Sequence, residues 1–425
     1  MATKCCIVGA GVCGLAAARH LSELMEVTIF ECKGEIGGQW NTSLKNDTDN
    51  SEDDLFKEIY GHQQSSIYEG LQTLEVAACM QFEDFPWHYT KQYPFAEEVL
   101  QYLLAYVENY NLRSSIHLNT AVTDITPLSQ DEFQVTTKTL SGVITTQIFN
   151  RVVVASGSHS VPYIPSFKGI ESFPGPARHV HNLKARLQSE DYEGKKVLLV
   201  GAWISTLELM RVLLKFDTEK VIVSVSEFEN PVISLITDPA LLAMQEAGKF
   251  VEKKRVERIE GSEVYFYDSD PEYVDEIIYC TGYRFVFPFL KHIDVLDDGK
   301  YVDGLWKGLL ELKYPRIAHL GHFKGRIFII AQLEAKYLKS LFMEIPDLDT
   351  IEAQNQKWME ITLPPGKPRR KIYRCKYINP ELIARTVEEY GMPLDEDWYR
   401  EVEAEFTSMV NLMCTQFMTF RKSEA

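Results

Sequence analysis

The sequence predicts an α/β fold with two Rossmann-like units, the second inserted into the first. Residues 4–31 give an apolar run (KCCIV), a glycine turn (GAGVCG), a helical pattern and a second strand (VTIFE). The same order of strand, turn, helix and strand recurs over residues 195–226. A third apolar run (VDEIIYC) ends in a glycine turn near residue 282. Strands and helices that alternate in this way are typical of parallel sheets covered by helices.

Weaker signals place the remaining elements and the domain boundaries. An amphipathic pattern predicts a helix over residues 95–112, and the runs FQVTTKTL and NRVVVA predict strands. The segment SGSHSVPYIP then contains glycine and proline, which interrupt helices and strands and so indicate a crossing between domains. We therefore expect a discontinuous first domain, 1–165 and 282–425, and an inserted second domain, 166–281.

Length and charge limit the classes of protein that fit. A chain of 425 residues exceeds one core of ordinary size, which also favours two domains. The formal net charge of -17 argues against nucleic acid or an anionic membrane surface as the main partner. No apolar stretch reaches the roughly 18 residues that a membrane span needs, and the N-terminus enters a strand without a signal peptide. We expect a cytoplasmic protein that has no membrane span.

The cysteines and the acidic residues give no metal motif. The eight cysteines contain no C-x-x-C pair and several lie in apolar runs, so we interpret them as buried free thiols. An acidic stretch offers Asp47, Asp49, Asp53 and Asp54 as metal ligands, but it lacks the glycine and the terminal glutamate of a calcium loop. We favour the interpretation that this acidic stretch is a solvated surface loop.

The first glycine turn carries a nucleotide-binding fingerprint. Gly9, Gly11 and Gly14 follow a strand and open a helix. We expect Gly9 to make the tight turn, Gly11 to let the backbone approach a pyrophosphate, and Gly14 to permit close packing of helix and strand. The helix N-terminus would then face the phosphates with unpaired N–H groups. Glu31 ends the second strand, where a carboxylate accepts hydrogen bonds from ribose hydroxyls.

The residues after Glu31 narrow the ligand. Gly37, Gly38, Gln39 and Trp40 complete an E-x5-G-G-x-W pattern, which resembles the flavin-containing monooxygenases. In that family the loop passes the ribityl chain and the flavin of FAD, so the resemblance implies FAD as the cofactor here. The candidate FAD-binding residues are Gly9, Gly11, Gly14, Glu31, Gly38, Gln39, Trp40 and Val122.

Three more segments resemble the same family in the right order. They are SGSHSVPYIP, FPGPARHVHNL and CTGYRFVFPFL. The likeness is greatest to the compact bacterial trimethylamine-type monooxygenases and extends from Met1 to the closing MTFRK. It implies that NADPH reduces FAD, that O2 adds to give a C4a-hydroperoxyflavin, and that a small amine or sulfide takes an oxygen atom. It also implies a homodimer.

The second nucleotide site departs from the family pattern. Gly201 and Ser205 fit the motif, but Trp203 occupies a position where the family has a small residue that lets backbone meet pyrophosphate. The indole either obstructs the site or rotates clear of it. Ser226 stands where the family has an Arg for the 2′-phosphate of NADPH, and Glu227 follows. A carboxylate repels a phosphate but can bind a free 2′-hydroxyl, so NADH is a candidate reductant beside NADPH. The alternative is that Glu227 is a solvated loop charge.

The active-site face differs as well. Leu74 stands at the family's active-site Asn position and cannot form its hydrogen bonds, and Ala77 replaces a Lys. Later, Gln332, Glu334 and Lys336 resemble E-x-Q-A-R with donor and acceptor types exchanged. Two hypotheses follow. The chain is an FAD-dependent N- or S-monooxygenase, or it is an FAD-binding protein that has lost NADPH-driven oxygenation.

Overall fold

The computed structural model describes most of the chain and divides it into two compact units. The described residues are 2–41, 65–67, 71–73, 75–183, 188–202, 204–225, 245–267, 269–296, 299, 301–322, 327–353, 400 and 404. One unit contains the described residues of Met1–Val161 and Tyr283–Phe406, and the other contains those of Pro162–Gly282. The sequence places these two crossings at 165/166 and 281/282.

The elements alternate between strands and helices in both units. The described helices are α1 (Val12–Leu21), α2 (Ala96–Asn109), α3 (Ile204–Lys215) and α4 (Ile327–Met343). The strands up to the first crossing are β1 (Lys4–Val8), β2 (Glu26–Phe30), β3 (Ile116–His117), β4 (Thr120–Pro127), β5 (Phe133–Thr139), β6 (Ile144–Phe149), β7 (Arg151–Val154) and β8 (Val161–Pro162).

The later strands complete the two units. Those before the second crossing are β9 (Ala177–His179), β10 (Lys196–Val200), β11 (Lys220–Ser224), β12 (Phe250–Lys253), β13 (Val256–Glu260), β14 (Glu263–Phe266), β15 (Ser269–Tyr273) and β16 (Glu276–Tyr279). Those after it are β17 (Tyr283–Arg284), β18 (Val295–Leu296), β19 (Tyr301–Val302), β20 (Leu305–Trp306), β21 (Leu310–Glu311) and β22 (Ile317–His319).

The first unit is built on a seven-stranded sheet in the order β20-β21-β22-β7-β1-β2-β3. The strands from β22 to β3 are parallel, and β1 lies between β7 and β2. Since β1 has parallel neighbours on both sides, its residues from Cys5 to Val8 are all buried. The carboxyl ends of β1, β2 and β7 therefore meet at one edge, where open parallel sheets bind ligands.

Two helices cover the centre of this sheet. Helix α1 (VCGLAAARHL) is rich in small residues, so it can approach both the sheet and α4 closely. Leu15 and Leu21 are fully buried on its inner face, and Phe328 and Leu338 are fully buried on α4. Arg19 lies in the last turn of α1, where its positive charge suits the helix dipole. The core of this unit thus lies directly beneath the first glycine turn.

The second unit repeats the plan on a smaller scale. Its five-stranded sheet has the order β12-β11-β10-β16-β9, and every pairing in it is parallel. Helix α3 follows β10 as α1 follows β1. A three-stranded antiparallel sheet, β13-β14-β15, completes this unit, and another, β4-β5-β6, belongs to the first. The predicted α/β class with two Rossmann-like units is confirmed.

Candidate functional site

The first glycine turn packs so closely that two of its positions admit no side chain. Gly9 has a φ of +103°, and a β-carbon there would lie 2.6 Å from the carbonyl oxygen of Ala155. A β-carbon on Gly14 would lie 1.9 Å from the carbonyl oxygen of Gly9. These two glycines let the start of α1 lie against the end of β1, as the sequence predicts.

Gly11 is glycine for a different reason. Its β-carbon would lie 3.5 Å from the Cα atom of Gly38, which is an ordinary contact. The protein itself therefore has room for a methyl group here, and the space that Gly11 keeps free belongs to the adjoining cavity. Gly11 is also the N-cap of α1 and makes no side-chain cap hydrogen bond. The first turn of α1 thus lacks a side-chain partner at its cap, as in anion-binding helix N-termini.

Glu31 ties the end of β2 to the glycine turn. Its side chain is buried, its Oε2 atom accepts a hydrogen bond from the backbone N–H of Ala10 at 2.7 Å, and its Oε1 atom accepts one from the N–H of Lys33 at 2.9 Å. These charge-assisted bonds fix the shape of the loop. A carboxylate accepts up to about four hydrogen bonds, so the predicted contact with a ribose hydroxyl stays a prediction.

The Gly37–Trp40 segment forms a second tight turn beside the first, to which the N–H of Gly37 bonds through the carbonyl oxygen of Ala10 at 3.0 Å. Gly37 and Gly38 have φ angles of +107° and +58°, and Gly38–Trp40 continue as a 3₁₀ turn. A β-carbon on Gly37 would lie 2.4 Å from the Cδ1 atom of Leu100 on α2. Gln39 donates a hydrogen bond from Nε2 to the carbonyl oxygen of His159 at 3.1 Å. The turn is therefore held on both sides by the first unit.

These elements surround a cavity of about 350 Å³ in the first unit. Seven of the residues proposed from the sequence line it: Gly9, Gly11, Glu31, Gly38, Gln39, Trp40 and Val122. Gly14 lies behind the turn and serves packing. The cavity opens where β1, β2 and β7 end, so segments far apart in the sequence meet there.

The structure adds lining residues that the sequence does not single out. The segment Ser156–Ser160, interpreted as part of a domain crossing, forms one wall of the cavity. Lys33, another lining residue, is 7% exposed and donates from Nζ to the carbonyl oxygen of Gly38 at 3.1 Å. Burial lowers the pKa of the Lys33 ammonium, and the Glu31 carboxylate opposes that change. Its position two residues after Glu31 is the signal that could have identified it.

The residues that flank Leu74 form a loop beside the cavity. Leu74 itself lies outside the described part of the chain. Ala77 is fully buried in a 3₁₀ turn and does not line the cavity, whereas Glu75 does. Thr73 donates from Oγ1 to the carbonyl oxygen of Glu75 at 2.8 Å, which shapes this loop. The predicted loss of an active-site amide at Leu74 stays a prediction.

The altered segment on α4 has partners within the protein. We expected Gln332 and Lys336 to belong to a ligand surface; neither lines the cavity described above, and the expectation stays a prediction. Gln332 accepts from the N–H of Glu83 at 2.7 Å and donates to Asp84 Oδ1 at 2.8 Å. Lys336 pairs with Glu83 Oε2 at 2.6 Å. The exchanged donor and acceptor types therefore match Glu83 and Asp84, which are neighbours of this segment in the fold.

The second glycine turn reproduces the geometry of the first. Gly201 has a φ of +107°, and a β-carbon there would lie 2.5 Å from the carbonyl oxygen of Cys280. Thr206 donates from Oγ1 to the carbonyl oxygen of Gly201 at 2.8 Å. Ser205 is exposed near the start of α3. A nucleotide-type turn is thus present in the second unit.

Trp203, Ser226 and Glu227 lie outside the described part of the chain, as do Asp47, Asp49, Asp53 and Asp54. Whether the indole obstructs the second turn therefore stays a prediction. Among the described residues no cluster of His, Cys, Asp or Glu could hold a metal ion. None of the six cysteines in that part of the chain is in a disulfide, and Cys13 and Cys32 are partly buried.

A buried carboxylate with two histidine partners lies in the first unit but does not line the cavity. Glu311 on β21 bonds His292 Nε2 through Oε2 and His319 Nε2 through Oε1, both at 2.8 Å. Burial raises the pKa of the Glu311 carboxyl, but the bonds from the two imidazoles outweigh that effect and the pKa is lowered. The cluster joins β21, β22 and the segment after Leu290.

Parallel strands in two sheets each lead into a glycine turn, and a carboxylate is bound to the first turn; together these features define a protein with two dinucleotide-binding folds. The family described as flavin-binding monooxygenase-like matches residues 2–241, which is more than half of the chain. The chain belongs to this family, whose members are flavin-dependent monooxygenases that use FAD and NADPH.

Relatives match along most of the chain. Flavin-containing monooxygenase FMO GS-OX2 of Arabidopsis thaliana is 28% identical over 408 residues, covering 92% of this chain and 86% of its own length. Trimethylamine monooxygenase of Pelagibacter ubique is 27% identical over 378 residues, covering 84% and 80%. The structure of S-allyl-L-cysteine S-oxygenase from Allium sativum has the same fold, with a TM-score of 0.79, 22% identity and coverage of 98% and 94%. In the described part of the chain no helix is both long and apolar enough to cross a membrane.

Proposed function

We propose that this chain binds FAD in the first-unit cavity and oxygenates a soft nucleophilic nitrogen or sulfur centre, with O2 and NAD(P)H as co-substrates. The observation that carries the proposal is the cavity itself. Two glycine turns that contact each other line it, one of them at the N-terminus of α1, and Glu31 accepts hydrogen bonds from Ala10 in the first turn and from Lys33 in the loop that follows. This combination, in a chain of a flavin-binding family, fits FAD better than a single nucleotide.

Each part of the cavity suits one part of FAD. The N-terminus of α1 beside Gly11 suits the diphosphate, because unpaired N–H groups and the helix dipole favour anions. Glu31 suits the ribose hydroxyls, and Lys33 adds a positive charge nearby. The turn at Gly38–Trp40, with Val122, suits the ribityl chain and the flavin. Bound FAD supplies the electron transfer and oxygen activation, while the protein holds it and keeps water away.

The substrate class rests on the relatives. One is named for trimethylamine and another for S-allyl-L-cysteine, so both nitrogen and sulfur centres occur as targets among similar proteins. Both are small nucleophiles, and a small amine or sulfide is therefore the substrate class that we propose. The cytoplasmic location and the homodimer expected from the sequence stay predictions.

The second unit is proposed to bind the nicotinamide nucleotide. Its parallel sheet and the turn at Gly201 have the geometry of a nucleotide site, with Ser205 at the start of the following helix. We propose that the nicotinamide-nucleotide domain comprises residues 166–281. The FAD domain would comprise residues 1–165 and 282–425. Because Ser226 replaces the family's Arg, NADH competes with NADPH as the reductant.

The test combines nucleotide oxidation with product analysis. Purified yellow protein is supplied with O2, with NADPH or NADH, and with trimethylamine or a dialkyl sulfide. The proposal predicts an N-oxide or S-oxide in proportion to the nucleotide consumed. A yellow protein that forms neither oxide with either nucleotide would contradict the proposed reaction and would support the alternative, an FAD-binding protein without NADPH-driven oxygenation. Nucleotide oxidation that yields only hydrogen peroxide would contradict the transfer of oxygen to the substrate, but it would leave reduction by the nucleotide in place.

A further inference from the structure

Helix α4 carries a fully buried carboxyl group that none of the assigned roles uses. Glu334 is 1% exposed, and its Oε2 atom accepts a hydrogen bond from the N–H of Gly321 at 3.1 Å. Its Oε1 atom is buried and has no hydrogen-bond partner in the described part of the chain. An ionised carboxylate in such surroundings costs much more free energy than a neutral carboxylic acid.

Glu334 lies immediately behind the wall of the FAD cavity. Gly321, its hydrogen-bond donor, lines the cavity, and so does Cys13, which interacts electrostatically with Glu334. Cys13 belongs to the first turn of α1, the helix whose N-terminus faces the cavity. A β-carbon on Gly321 would lie 2.6 Å from the Cys13 sulfur, so α1 and the chain after β22 are in close contact. A charge on Glu334 would therefore act on the diphosphate position through a single layer of atoms.

The described charged groups around Glu334 do not neutralise it. The titratable group that faces it from α1 is the Cys13 thiol, and burial raises the pKa of that thiol as well. On α4 itself, Lys336 is paired with Glu83 and Lys339 with Glu23. Burial raises the pKa of the Glu334 carboxyl to about 8, and only the Gly321 N–H opposes this change. The neutral acid is therefore the main form at neutral pH.

We propose that FAD binding is linked to protonation of Glu334, so that the cavity holds FAD tightly while Glu334 is neutral and releases it when Glu334 ionises. The negative diphosphate and an ionised Glu334 would compete for the same positive helix end. By reciprocity, bound FAD favours the protonated acid. This inference rests on the proposed FAD site. The E-x-Q-A-R pattern that this segment resembles has Gln at this position, and a Gln side chain is neutral at every pH.

The test is the pH dependence of FAD release from the purified holoprotein, followed by the fluorescence of free FAD after dilution. For the wild type, affinity should fall between about pH 7 and pH 10, by about tenfold for each unit by which FAD raises the pKa of Glu334. Glu334→Gln should bind FAD at neutral pH and lose most of that dependence. Glu344→Gln, on the exposed end of the same segment, is the matched control and should behave like the wild type.

A second readout keeps the proposal testable if Glu334→Gln folds poorly. Infrared difference spectra recorded on FAD release at about pH 9 should show loss of a carboxylic-acid carbonyl band in the wild type. Equal pH dependence in the wild type and in Glu334→Gln, or a wild type with no such band, would overturn the linkage and leave the FAD site intact. A chain that holds no FAD at any pH would contradict the proposed function as well.

Discussion

Gly11 and Gly14 should respond in opposite ways to the same added methyl group. Both belong to the first glycine turn, and neither has the left-handed backbone that would strain any side chain. A β-carbon at Gly14 would lie 1.9 Å from the carbonyl oxygen of Gly9, whereas one at Gly11 would meet its nearest neighbour at 3.5 Å. Gly14→Ala therefore tests the packing of the protein, and Gly11→Ala tests the space kept for the ligand.

The expected magnitudes follow from these distances. Real β-carbon contacts are essentially never under 3.0 Å, so α1 must move from β1 by at least about 1.1 Å in Gly14→Ala. Such a shift disrupts a close-packed core and should cost about 3 kcal/mol or more, a large part of the roughly 5–15 kcal/mol that holds a domain folded. Gly11→Ala loses only the N-cap preference, about 1 kcal/mol or less. Its methyl group in the cavity should weaken FAD binding by about 10- to 100-fold.

Two measurements on each variant separate the effects. Thermal unfolding of the FAD-free proteins should show a strongly lowered midpoint for Gly14→Ala and a nearly unchanged one for Gly11→Ala. The flavin content after purification, with a fluorescence titration of FAD, should show that Gly11→Ala folds but binds FAD weakly. A Gly11→Ala protein that binds FAD as the wild type does would refute the placement of the diphosphate. A Gly14→Ala protein with unchanged stability would refute the packing argument.

Two further variants test charges inside the first unit. Glu311→Gln should lower the free energy of unfolding by about 2–4 kcal/mol, because the bonds to His292 and His319 lose their charged acceptor. Since the pKa of Glu311 is lowered in the folded state, its contribution is present above the carboxyl's unfolded pKa and is lost as pH falls; denaturant unfolding should show a smaller wild-type advantage at low pH. Lys33→Met should keep the fold but bind FAD about tenfold more weakly, because the cavity loses an ammonium held at the Gly38 carbonyl. Lys33→Arg is its charge-preserving control, and equal FAD affinity in all three proteins would contradict this role.

Much of the fold and part of the site follow from short-range patterns in the sequence. The strand, turn and helix around Gly9 and Gly201 are visible because glycine spacing and apolar runs are local signals. The same patterns single out Glu31 and the turn at Gly38–Trp40, and the structure brings these residues together at one cavity. Local signals suffice here because all of these residues lie close to the ends of two neighbouring parallel strands.

The rest depends on contacts between distant parts of the chain. Nothing near Gln332 in the sequence indicates that it bonds residues 83 and 84, so its side chain is easily assigned to a ligand instead. The Ser156–Ser160 wall has the composition of a loop, and only the sheet order brings it beside the glycine turn. The burial of Glu334 likewise results from the packing of α4 on α1. Side-chain environments of this kind are set by the tertiary fold, which a periodicity does not specify.

We propose that a nicotinamide nucleotide reduces the flavin of this flavin-dependent monooxygenase. Reduction is measured through the absorbance of the oxidised flavin when NADPH, and separately NADH, is added to the purified protein without oxygen. The flavin band should bleach, and the Ser226→Arg variant should shift the preference toward NADPH. A flavin that stays oxidised with both nucleotides, in the wild type and after Trp203→Gly combined with Ser226→Arg, would contradict the proposal.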